Sequence, residues 1–455
     1  MFARALQLIY VLVVIAAWFV APARADGPGP EFVSVDGLNF VYRDARFFYA
    51  GTNCYYLSYF SADPVRRGST DDLLDLCRNR GFNVIRAWAF NDGGWNVDGY
   101  TNEWAYQDTP TSLYNETALK GLDYAIDQAG RRGLKLILTF TNNWEDYGGM
   151  QWYVDASPTA TDHDEFYIDF QCKEWLKARM QTIITRVNTY TGIAYRDDPT
   201  ILAWELANEA RCWDDWRSGR LVFRTWANEM STFIKSLDPN HLVTTGVEGF
   251  YNCAWGCSGW IYDGSTGTDF IADHGLPNID FCTMHLWPGH WDLSDAGALL
   301  FLQRHLYDAA NVVCKPIILE EFGVSGDEGT APLQEWTDAV FASASTNGAA
   351  PGWHVWMIEA TGSGHDDTFS LILPDDQEAV DLLTTQAQAI NALTAPDADV
   401  TADGVVNILD MIAIRNDLNA TPGSDGSIRS DVNRDGMINI LDMIAVRNKL
   451  NTTWP

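Results

Sequence analysis

Short apolar segments alternate with longer amphipathic segments over most of the chain. Between residues 47 and 393, runs rich in β-branched and aromatic residues are each followed by a segment with the apolar spacing of a helix. This alternation predicts repeated strand–helix units whose strands form a parallel sheet. The eight strand-like runs are residues 47–53, 83–89, 135–141, 201–207, 242–247, 281–286, 316–321 and 352–357. The helical segments between them include residues 70–80, 116–132, 173–190, 217–237, 299–313 and 333–347.

Eight strands that are each followed by a helix predict a (β/α)8 barrel. A barrel of this kind needs about 250 residues, so this longer region also holds extended loops. Residues 32–46 precede the first strand and are expected to form a hairpin that closes the bottom of the barrel. We therefore expect an α/β protein, a TIM barrel, with its active site at the carboxyl ends of the strands.

The pattern breaks at residues 392–396, and a repeated sequence follows. The two copies share the segment Asn-Ile-Leu-Asp-Met-Ile-Ala, which begins at Asn407 and again at Asn439. In each copy, oxygen-bearing side chains occupy positions 1, 3, 5, 9 and 12 of a loop that has Gly at position 6, a spacing that suits Ca²⁺. A pair of Asx-rich turns without metal is the alternative. The expected ligands are Asp399, Thr401, Asp403, Asn407, Asp410, Asp431, Asn433, Asp435, Asn439 and Asp442.

Residues 397–451 resemble a type I dockerin. Both loops end in Asp where an EF-hand usually has Glu, and neither loop follows an entering helix. The resemblance implies a small all-α domain at residues 395–455 with two structural Ca²⁺ ions and, as a partner, a cohesin-bearing scaffold protein. If the apolar residues between 408 and 412 serve only as core, no such partner is implied.

The charge balance excludes some classes of ligand. The chain has 61 Asp and Glu against 30 Lys and Arg, which gives a formal net charge of −31. Such an acidic surface repels nucleic acid and anionic lipid, and it suits a neutral ligand. The 19 Trp residues fit either stacking on sugar rings or a Trp-rich core, and composition leaves that choice open.

The N-terminal segment has the pattern of a secretory signal. Arg4 precedes an apolar run over residues 6–20, and an Ala-Arg-Ala triplet at residues 23–25 gives a small-x-small cleavage pattern. A transmembrane anchor is the alternative, but the run is shorter than the about 20 residues that a bilayer needs. We expect residues 1–25 to be removed, and the mature chain to be secreted without a membrane anchor.

Export to an oxidising compartment makes the eight cysteines candidates for disulfides. Spacing does not fix their connectivity. Cys54 and Cys77 are expected as buried thiols. The candidate pairs are Cys172 with Cys212, Cys282 with Cys314, and Cys253 with Cys257.

Two carboxylates stand at the ends of predicted strands. The fourth strand runs into Trp-Glu-Leu-Ala-Asn-Glu, which ends at Glu209, and the seventh strand ends in Leu-Glu-Glu at Glu321. One such Glu could be a structural ion-pair partner. Two of them on facing strands match the needs of a retaining glycosidase, whose acid and nucleophile have carboxyl groups about 5–5.5 Å apart.

Residues 32–393 resemble glycoside hydrolase family 5 of clan A, and within it the endo-β-1,4-mannanases. The resemblance rests on residues 186–212, with Asn-Thr-Tyr-Thr-Gly, Asp-Asp-Pro-Thr-Ile and Trp-Glu-Leu-Ala-Asn-Glu, and on the Asn-Asn-Trp-Glu-Asp-Tyr-Gly-Gly loop at 142–149. It implies that Glu209 is the acid/base and Glu321 the nucleophile, with no cofactor for catalysis.

The resemblance also assigns roles around the catalytic pair. Arg86 would keep the nucleophile ionised, and Asn208 would donate to the 2-hydroxyl of the sugar. Arg211 would contact the leaving-group side, and Trp356 would lie under the sugar at the cleavage point. The other expected substrate-binding residues are Asn143, Trp144, His285 and Trp287.

Some positions depart from the family pattern or have no assigned role. Ala210 stands where Pro is usual, which alters only the loop entry. Trp287 stands where many relatives have a Tyr that hydrogen-bonds the nucleophile. An indole has no hydroxyl, so either Trp287 serves another sugar subsite or a nearby Tyr takes over. Glu205 is expected to be a buried structural partner, and Glu320 to lie beside the catalytic pair without a catalytic role.

These patterns predict a secreted, extracellular bacterial endo-β-mannanase that acts on β-mannan as a monomer, with residues 26–394 as its catalytic domain. A β-1,4-glucanase of the same family and a non-catalytic polysaccharide-binding module are the alternatives. The Asn-Asn-Trp loop and the Thr-Tyr-Thr-Gly stretch favour mannan, and the presence of both catalytic carboxylates favours an enzyme. Arg86 should hold Glu321 ionised, and that charge should raise the pKa of Glu209.

Overall fold

Three short antiparallel strands precede the barrel: β1 (Ser34–Asp36), β2 (Asn39–Tyr42) and β3 (Ala45–Arg46). Apolar side chains from this segment, including Val33 and Phe40, are buried against residues at the starts of the barrel strands. The expected hairpin at the bottom of the barrel is therefore confirmed, with a third strand added. The computed structural model describes residues 31–43, 45–93, 103–213, 221–253, 259–325, 328–346, 348–359, 367–394, 398, 400–401, 405–419, 430, 432 and 437–450.

All eight predicted barrel strands are present, with ends that differ by a few residues. In order around the sheet, each strand pairs in parallel with its neighbour, and the first and last strands of the barrel pair with each other. The fifth and sixth barrel strands are the two ends of this sheet order. A hydrogen bond joins them there, from the amide of Asp280 to the carbonyl of Val243 at 2.8 Å. The strands are β4 (Tyr49–Asn53), β5 (Phe82–Trp88), β6 (Lys135–Thr139), β7 (Ile201–Glu205), β8 (Leu242–Thr244), β9 (Cys282–Leu286), β10 (Ile317–Phe322) and β11 (Gly352–Val355).

Helices surround this barrel, and each of the six predicted helical segments contains one. Four more were not predicted individually, and a small parallel pair, β12 (Ile358–Glu359) and β13 (Leu371–Ile372), follows β11. The predicted segment 299–313 ends as a π-helical turn, Ala309–Val313. The helices are α1 (Leu57–Ala62), α2 (Arg67–Arg80), α3 (Glu116–Arg131), α4 (Gly149–Ala156), α5 (Phe170–Thr185), α6 (Val222–Leu237), α7 (Phe270–His274), α8 (Asp295–Asp308), α9 (Ala331–Ser345) and α10 (Gln377–Asn391).

The C-terminal repeat forms two helices, α11 (Ile408–Asp417) and α12 (Ile440–Asn448). Each begins with a capping box, in which Asn407 and Asn439 are the N-cap residues. A separate small apolar core lies between the helices. Its fully buried members include Ile414 and Val446, which occupy equivalent positions in the two repeats.

The cysteines differ from the expected pairing. Cys172 and Cys282 are buried free thiols, so neither the pair with Cys212 nor the pair with Cys314 is formed. Both predicted pairs are wrong, because closeness to a strand end in the sequence does not bring two thiols together: Cys282 is buried on β9 whereas Cys314 is exposed, and Cys172 lies on α5 whereas Cys212 follows β7. Cys253 is disulfide-bonded, and its expected partner, Cys257, lies outside the described residues.

Buried thiols at Cys54 and Cys77 are confirmed. Burial raises the pKa of Cys77 to about 12, so this thiol stays protonated. None of the helices in the described part of the chain is long and apolar enough to cross a membrane. The expected signal peptide at residues 1–25 lies outside the described residues.

Candidate active site

A cavity of about 570 Å³ opens at the carboxyl ends of the barrel strands. Glu209 and Glu321 both line it, and most of its walls are aromatic. Flat apolar rings around a pair of carboxylates suit a ligand that has both apolar faces and polar edges, as sugars do. The aromatic lining residues are Tyr55, Trp88, Tyr147, Trp144, Trp260, Trp287, Trp291, Trp356 and Phe369.

Glu209 is positioned by the loop that follows β7. Its backbone has a φ of 49°, in the left-handed region, and its amide donates to the carbonyl of Gly246 at 2.8 Å. This turn brings the side chain over the barrel. Trp144 Nε1 donates to its Oε2 at 2.6 Å, and Nδ1 of His285 lies 2.9 Å from its Oε1.

Glu321 lies on β10 and faces Glu209 across His285. Arg86 donates to Glu321 Oε1 at 2.5 Å, and Nδ1 of His285 lies 3.2 Å from its Oε2. One carboxylate oxygen of Glu209, one ring nitrogen of His285 and one carboxylate oxygen of Glu321 all lie within 4.8 Å of one another. The two carboxyl groups are thus close enough to flank a single bond of a bound molecule.

The sequence prediction for Trp287 is wrong in one respect. Its indole Nε1 donates to Glu321 Oε2 at 3.2 Å, so an indole fills the donor position that was expected to need a hydroxyl. Gly323 makes room for the ring, because a Cβ there would lie 3.1 Å from the Trp287 indole and 2.5 Å from the Trp356 carbonyl. Trp356 itself stacks on Tyr55, with ring centroids 5.4 Å apart.

Arg86 is fully buried below the two carboxylates. It makes a bidentate pair with Glu205, at 2.8 and 2.6 Å, in addition to its contact with Glu321. It also donates to Asn208 Oδ1 at 2.7 Å, and the Asn208 amide nitrogen donates to Asn142 Oδ1 at 3.0 Å. The expectation that Glu205 is a buried structural partner is confirmed. Asn208 lines the cavity together with Glu209 and Glu321, and these two contacts fix its amide.

Arg211 lines the cavity and has a partner that sequence reasoning missed. It donates to Glu248 Oε1 at 2.7 Å and lies over the Trp144 ring, 5.1 Å from its centroid. Burial raises the pKa of Glu248 to about 7, against the lowering by Arg211. A carboxylate directly after the predicted fifth strand, residues 242–247, was the available sequence signal. Asn143 is buried beneath this group, and its Oδ1 accepts from the Arg211 amide at 3.0 Å.

The electrostatics of the pair are the reverse of the expected order. Burial acts to raise the pKa of Glu209, but the hydrogen bond and charge of His285 outweigh it and lower that pKa to about 2. Burial raises the pKa of Glu321, despite His285 and Arg86. The reason is the position of His285, whose own pKa is raised well above 6.5 because the surrounding carboxylates outweigh its burial.

Glu209, His285 and Glu321 have the atom types of a metal site, but their surroundings do not fit one. Nδ1 of His285 faces both Glu209 and Glu321, and its Nε2 lies 3.2 Å from Glu320. With a carboxylate against each ring nitrogen, the imidazole has no lone pair free for a cation. The arrangement therefore fits proton transfer better than metal binding.

The Thr-Tyr-Thr-Gly stretch does not take part in the site. It lies between α5 and β7, at the end of the barrel opposite to the carboxylates. Asn188 donates to the backbone of Asp123 there, and Arg186 pairs with the Asp123 side chain at 2.8 Å. These contacts stabilise the fold, and the stretch lines no part of the cavity, so it does not contact a ligand there.

The C-terminal loops are described in part. Asp410 is buried, and its Oδ1 accepts from the Thr401 amide at 2.9 Å while its Oδ2 accepts from the Asn407 amide at 2.7 Å. Asp442 makes the equivalent contact with the Asn439 amide at 2.8 Å. In both repeats the last expected ligand thus accepts a hydrogen bond from the backbone of an earlier loop position. The expected ligands outside the described residues are Asp399, Asp403, Asp431, Asn433 and Asp435.

A parallel barrel that carries two facing carboxylates, a buried arginine and aromatic walls at its carboxyl ends has the architecture of a glycoside hydrolase. Residues 30–350 match the family described as GH family 5 beta-mannosidase-like, and residues 397–451 match the dockerin type I domain. The chain therefore belongs to glycoside hydrolase family 5 and has a C-terminal dockerin domain. Type I dockerins bind calcium.

The relatives are similar over most of their length. The chain is 37% identical to mannan endo-1,4-beta-mannosidase 7 of Arabidopsis thaliana, over 80% of this chain and 87% of that protein. It is 32% identical to the endo-1,4-beta-mannanase of Rhizomucor miehei, with a TM-score of 0.69 over 79% of this chain and 99% of that one. The endo-beta-1,4-mannanase of Thermotoga petrophila gives 32% identity and a TM-score of 0.65, over 76% of this chain and 77% of that one.

Proposed function

We propose that this chain is a secreted, retaining endo-β-1,4-mannanase that hydrolyses β-1,4-mannosidic bonds in mannan, galactomannan or glucomannan. The close approach of Glu209 and Glu321 across the cavity carries the proposal, since a carboxylate oxygen of Glu209 lies within 4.8 Å of a carboxylate oxygen of Glu321. A retaining enzyme needs its two carboxyl groups only about 5–5.5 Å apart, whereas an inverting enzyme leaves room for a water between them. The names of the relatives supply the substrate class and the endo mode.

Each carboxylate has surroundings that suit one role in this reaction. Glu321 is the nucleophile that attacks the anomeric carbon, because Arg86 and Trp287 donate to it and fix its direction. Glu209 protonates the leaving oxygen, then removes a proton from the water that hydrolyses the glycosyl-enzyme. Arg211 lies on the Glu209 side of the cavity and is placed to contact the leaving-group sugar. Trp356 forms the platform on the Glu321 side.

Product analysis on several β-linked polysaccharides tests this function. We expect the mature chain to release short manno-oligosaccharides from linear mannan, with the β-anomer as the first product by NMR. Faster hydrolysis of cellulose than of any mannan would instead assign a β-1,4-glucanase. No release of reducing sugar from any β-linked polysaccharide would leave a non-catalytic binding module.

For the C-terminal domain, we propose two bound Ca²⁺ ions and a cohesin-bearing scaffold as the partner. Buried Asp410 and Asp442 at the ends of the two loops support the calcium sites. Exposed apolar side chains at equivalent positions of α11 and α12 support the protein partner; these are Ile408, Leu409, Ile412, Ile440, Leu441 and Ile444. Calorimetry with Ca²⁺ should give two sites, and cohesin capture should require Ca²⁺. A domain that binds neither would contradict the proposal.

A further inference from the structure

Two successive glutamates of β10 contact the same histidine, although successive side chains of a regular strand point to opposite faces. The register of β10 against β9 shifts between Leu319 and Glu321, which makes Glu320 the extra residue of a β-bulge. Bulges re-aim side chains and are frequent next to active sites. Here the bulge directs both Glu320 and Glu321 towards the ring of His285.

Glu320 is fully buried and has one close partner. Its Oε2 lies 3.2 Å from Nε2 of His285. Its Oε1 lies 3.6 Å from Nε of Arg86, too far for a hydrogen bond, and has no hydrogen-bond partner among the described residues. An ionised carboxylate with an unpartnered buried oxygen is costly, so this environment favours a protonated Glu320 or a proton shared with His285.

His285 connects this buried carboxyl group to the proposed acid. While Nε2 faces Glu320, Nδ1 lies 2.9 Å from Oε1 of Glu209. An imidazole can accept a proton at one nitrogen and release a proton from the other. The three side chains therefore form a continuous hydrogen-bonded line from the barrel interior to the cavity.

We propose that Glu320 is a positioning residue that stores the proton of the general acid and supplies it to Glu209 through His285. In the stored state Glu320 and Nε2 of His285 share one proton, Nδ1 of His285 carries a second proton, and Glu209 is ionised. On transfer, the shared proton stays on Nε2 and the Nδ1 proton moves to Glu209. His285 is then neutral, Glu320 is ionised, and no proton is gained or lost. This inference rests on the proposed function, because it concerns the acid of that reaction.

The charges around the line favour storage at Glu320 when no substrate is bound. Burial raises the pKa of Glu320 to about 8, and the charge of Glu205 adds to this effect. The pKa of Glu209 is lowered to about 2, because His285 outweighs its burial. An acid that is ionised at rest needs a proton source inside the site. Other titratable or charged groups also interact electrostatically with Glu320, His285 or Glu209. These groups are Tyr49, Arg86, Glu205, Arg211, Glu248 and Glu321.

Glu321 competes with Glu209 for the Nδ1 proton, and the geometry favours Glu209. The contact of Nδ1 with Glu209 is 2.9 Å, against 3.2 Å with Glu321. Glu321 also accepts from Arg86 and from Trp287, and hydrogen bonds from these donors stabilise its ionised form.

The pH dependence of kcat/KM on mannan, measured for the wild type and for Glu320→Gln, tests the proposal. After transfer, the negative charge of Glu320 raises the proton affinity of His285 and of Glu209, and Gln lacks that charge. We expect the basic limb of Glu320→Gln to move to lower pH by about one unit. The acidic limb should stay in place, because Glu320 is protonated there and therefore neutral, as Gln is. An unmoved basic limb, or an acidic limb that moves equally, would overturn the proposal.

A second substrate separates proton supply from a structural role. An aryl β-mannobioside with a good leaving group needs little help from an acid, so Glu320→Gln should retain near wild-type kcat/KM on it while losing at least tenfold on mannan. Equal losses on both substrates would mean that Glu320 only supports the fold. If Glu320→Gln does not fold, as judged by its thermal transition, Glu320→Asp replaces it, with the same substrate-dependent loss expected from its shorter reach towards Nε2.

The hydrolysis of mannan by the wild type distinguishes a failure of the proposed function from a failure of the inference about Glu320. A wild type that hydrolyses no mannan would overturn the proposed function and this inference with it. An active wild type whose Glu320 variants show no leaving-group dependence would overturn this inference alone.

Discussion

At the scale of single residues, removing each carboxyl group in turn tests the roles proposed for Glu209 and Glu321. Glu209→Ala and Glu321→Ala should each lower kcat on mannan by on the order of a thousandfold while the barrel stays folded. Both side chains face the cavity, so their truncation leaves the core packing intact. Rates with unchanged thermal transitions check this. Activity above about a tenth of wild type in either variant would contradict the assignment.

Added azide distinguishes the two roles. In Glu209→Ala, azide attacks the glycosyl-enzyme formed by Glu321, so rescue on a substrate with a good leaving group should give a β-configured glycosyl azide. In Glu321→Ala no such intermediate forms, and azide in the empty position should give the α-configured product. NMR of the two products is the measurement. The opposite pair of configurations would exchange the roles of the two carboxylates.

Arg86 should set the acidic limb of the pH profile. It donates to Glu321 at 2.5 Å, and its charge lowers the pKa of that carboxyl group. Arg86→Met removes this lowering, so Glu321 should stay protonated to higher pH and the acidic limb of kcat/KM should move upward by about one unit or more. The variant should also be less stable by about 3–5 kcal/mol, because Glu205 loses its buried partner. An acidic limb that stays in place would show that another group, such as His285, sets the charge of the nucleophile.

The sequence was sufficient to predict which residues meet at the site but not what each contacts. Glu209 and Glu321 were predicted because carboxylates at the ends of buried strands need a purpose, and Arg86 was predicted from the family resemblance. The contact of Trp287 with Glu321 and that of Glu320 with His285 depend on a bulge and on ring orientation. No spacing rule contains these, because a strand pattern of period two assigns Glu320 to the outer face.

At the scale of elements, the turn after β8 supports the backbone of Glu209. Gly246 has a φ of +76°, and a Cβ there would collide with the carbonyl of Ala207 and the carboxylate of Glu205. Its own carbonyl accepts from the Glu209 amide. We expect Gly246→Ala to lower the free energy of unfolding of the barrel by more than about 2 kcal/mol and to lower kcat as well.

A matched control is available at the other end of the barrel. Gly37 has a φ of +58°, and a Cβ there would meet nothing within 4 Å. Gly37→Ala should therefore cost only the backbone strain, about 1 kcal/mol, without any change in kcat. Urea unfolding followed by tryptophan fluorescence compares the two. Equal losses of stability in the two variants would show that positive φ alone, and not the collision, accounts for the effect.

The elements themselves were largely predictable, for a physical reason. Each barrel strand is buried on both faces, so it reads as a continuous apolar run, and the helices keep a clear apolar stripe. The short helices α1, α4 and α7 were missed because they lie within the long loops at the carboxyl ends. The helix α5 ends at Thr185, before its predicted end, because Asn188 turns the chain back towards Asp123.

At the scale of the whole molecule, the barrel and the dockerin domain have different sources of stability. The barrel has an extensive apolar core, and Thr394 ties its last helical turn back to Phe48 through two hydrogen bonds, at 2.9 and 2.8 Å. Among the described residues, the core of the C-terminal domain has seven buried members, all of them Ala, Val or Ile. A domain this small depends on bound metal for much of its folding free energy.

Removal of calcium should therefore unfold one part of the molecule and spare the other. The buried Asp410 and Asp442 close the two loops, and without Ca²⁺ the acidic ligands around them repel one another. Chelation of the intact protein should make residues after about 397 sensitive to protease, while hydrolysis of soluble mannan keeps its rate, because Glu209 and Glu321 need no cation. Added Ca²⁺, but not Mg²⁺ at the same concentration, should restore protection, since Mg²⁺ demands a tighter octahedral site. Loss of hydrolysis on chelation would reveal a calcium requirement in the barrel and contradict this separation.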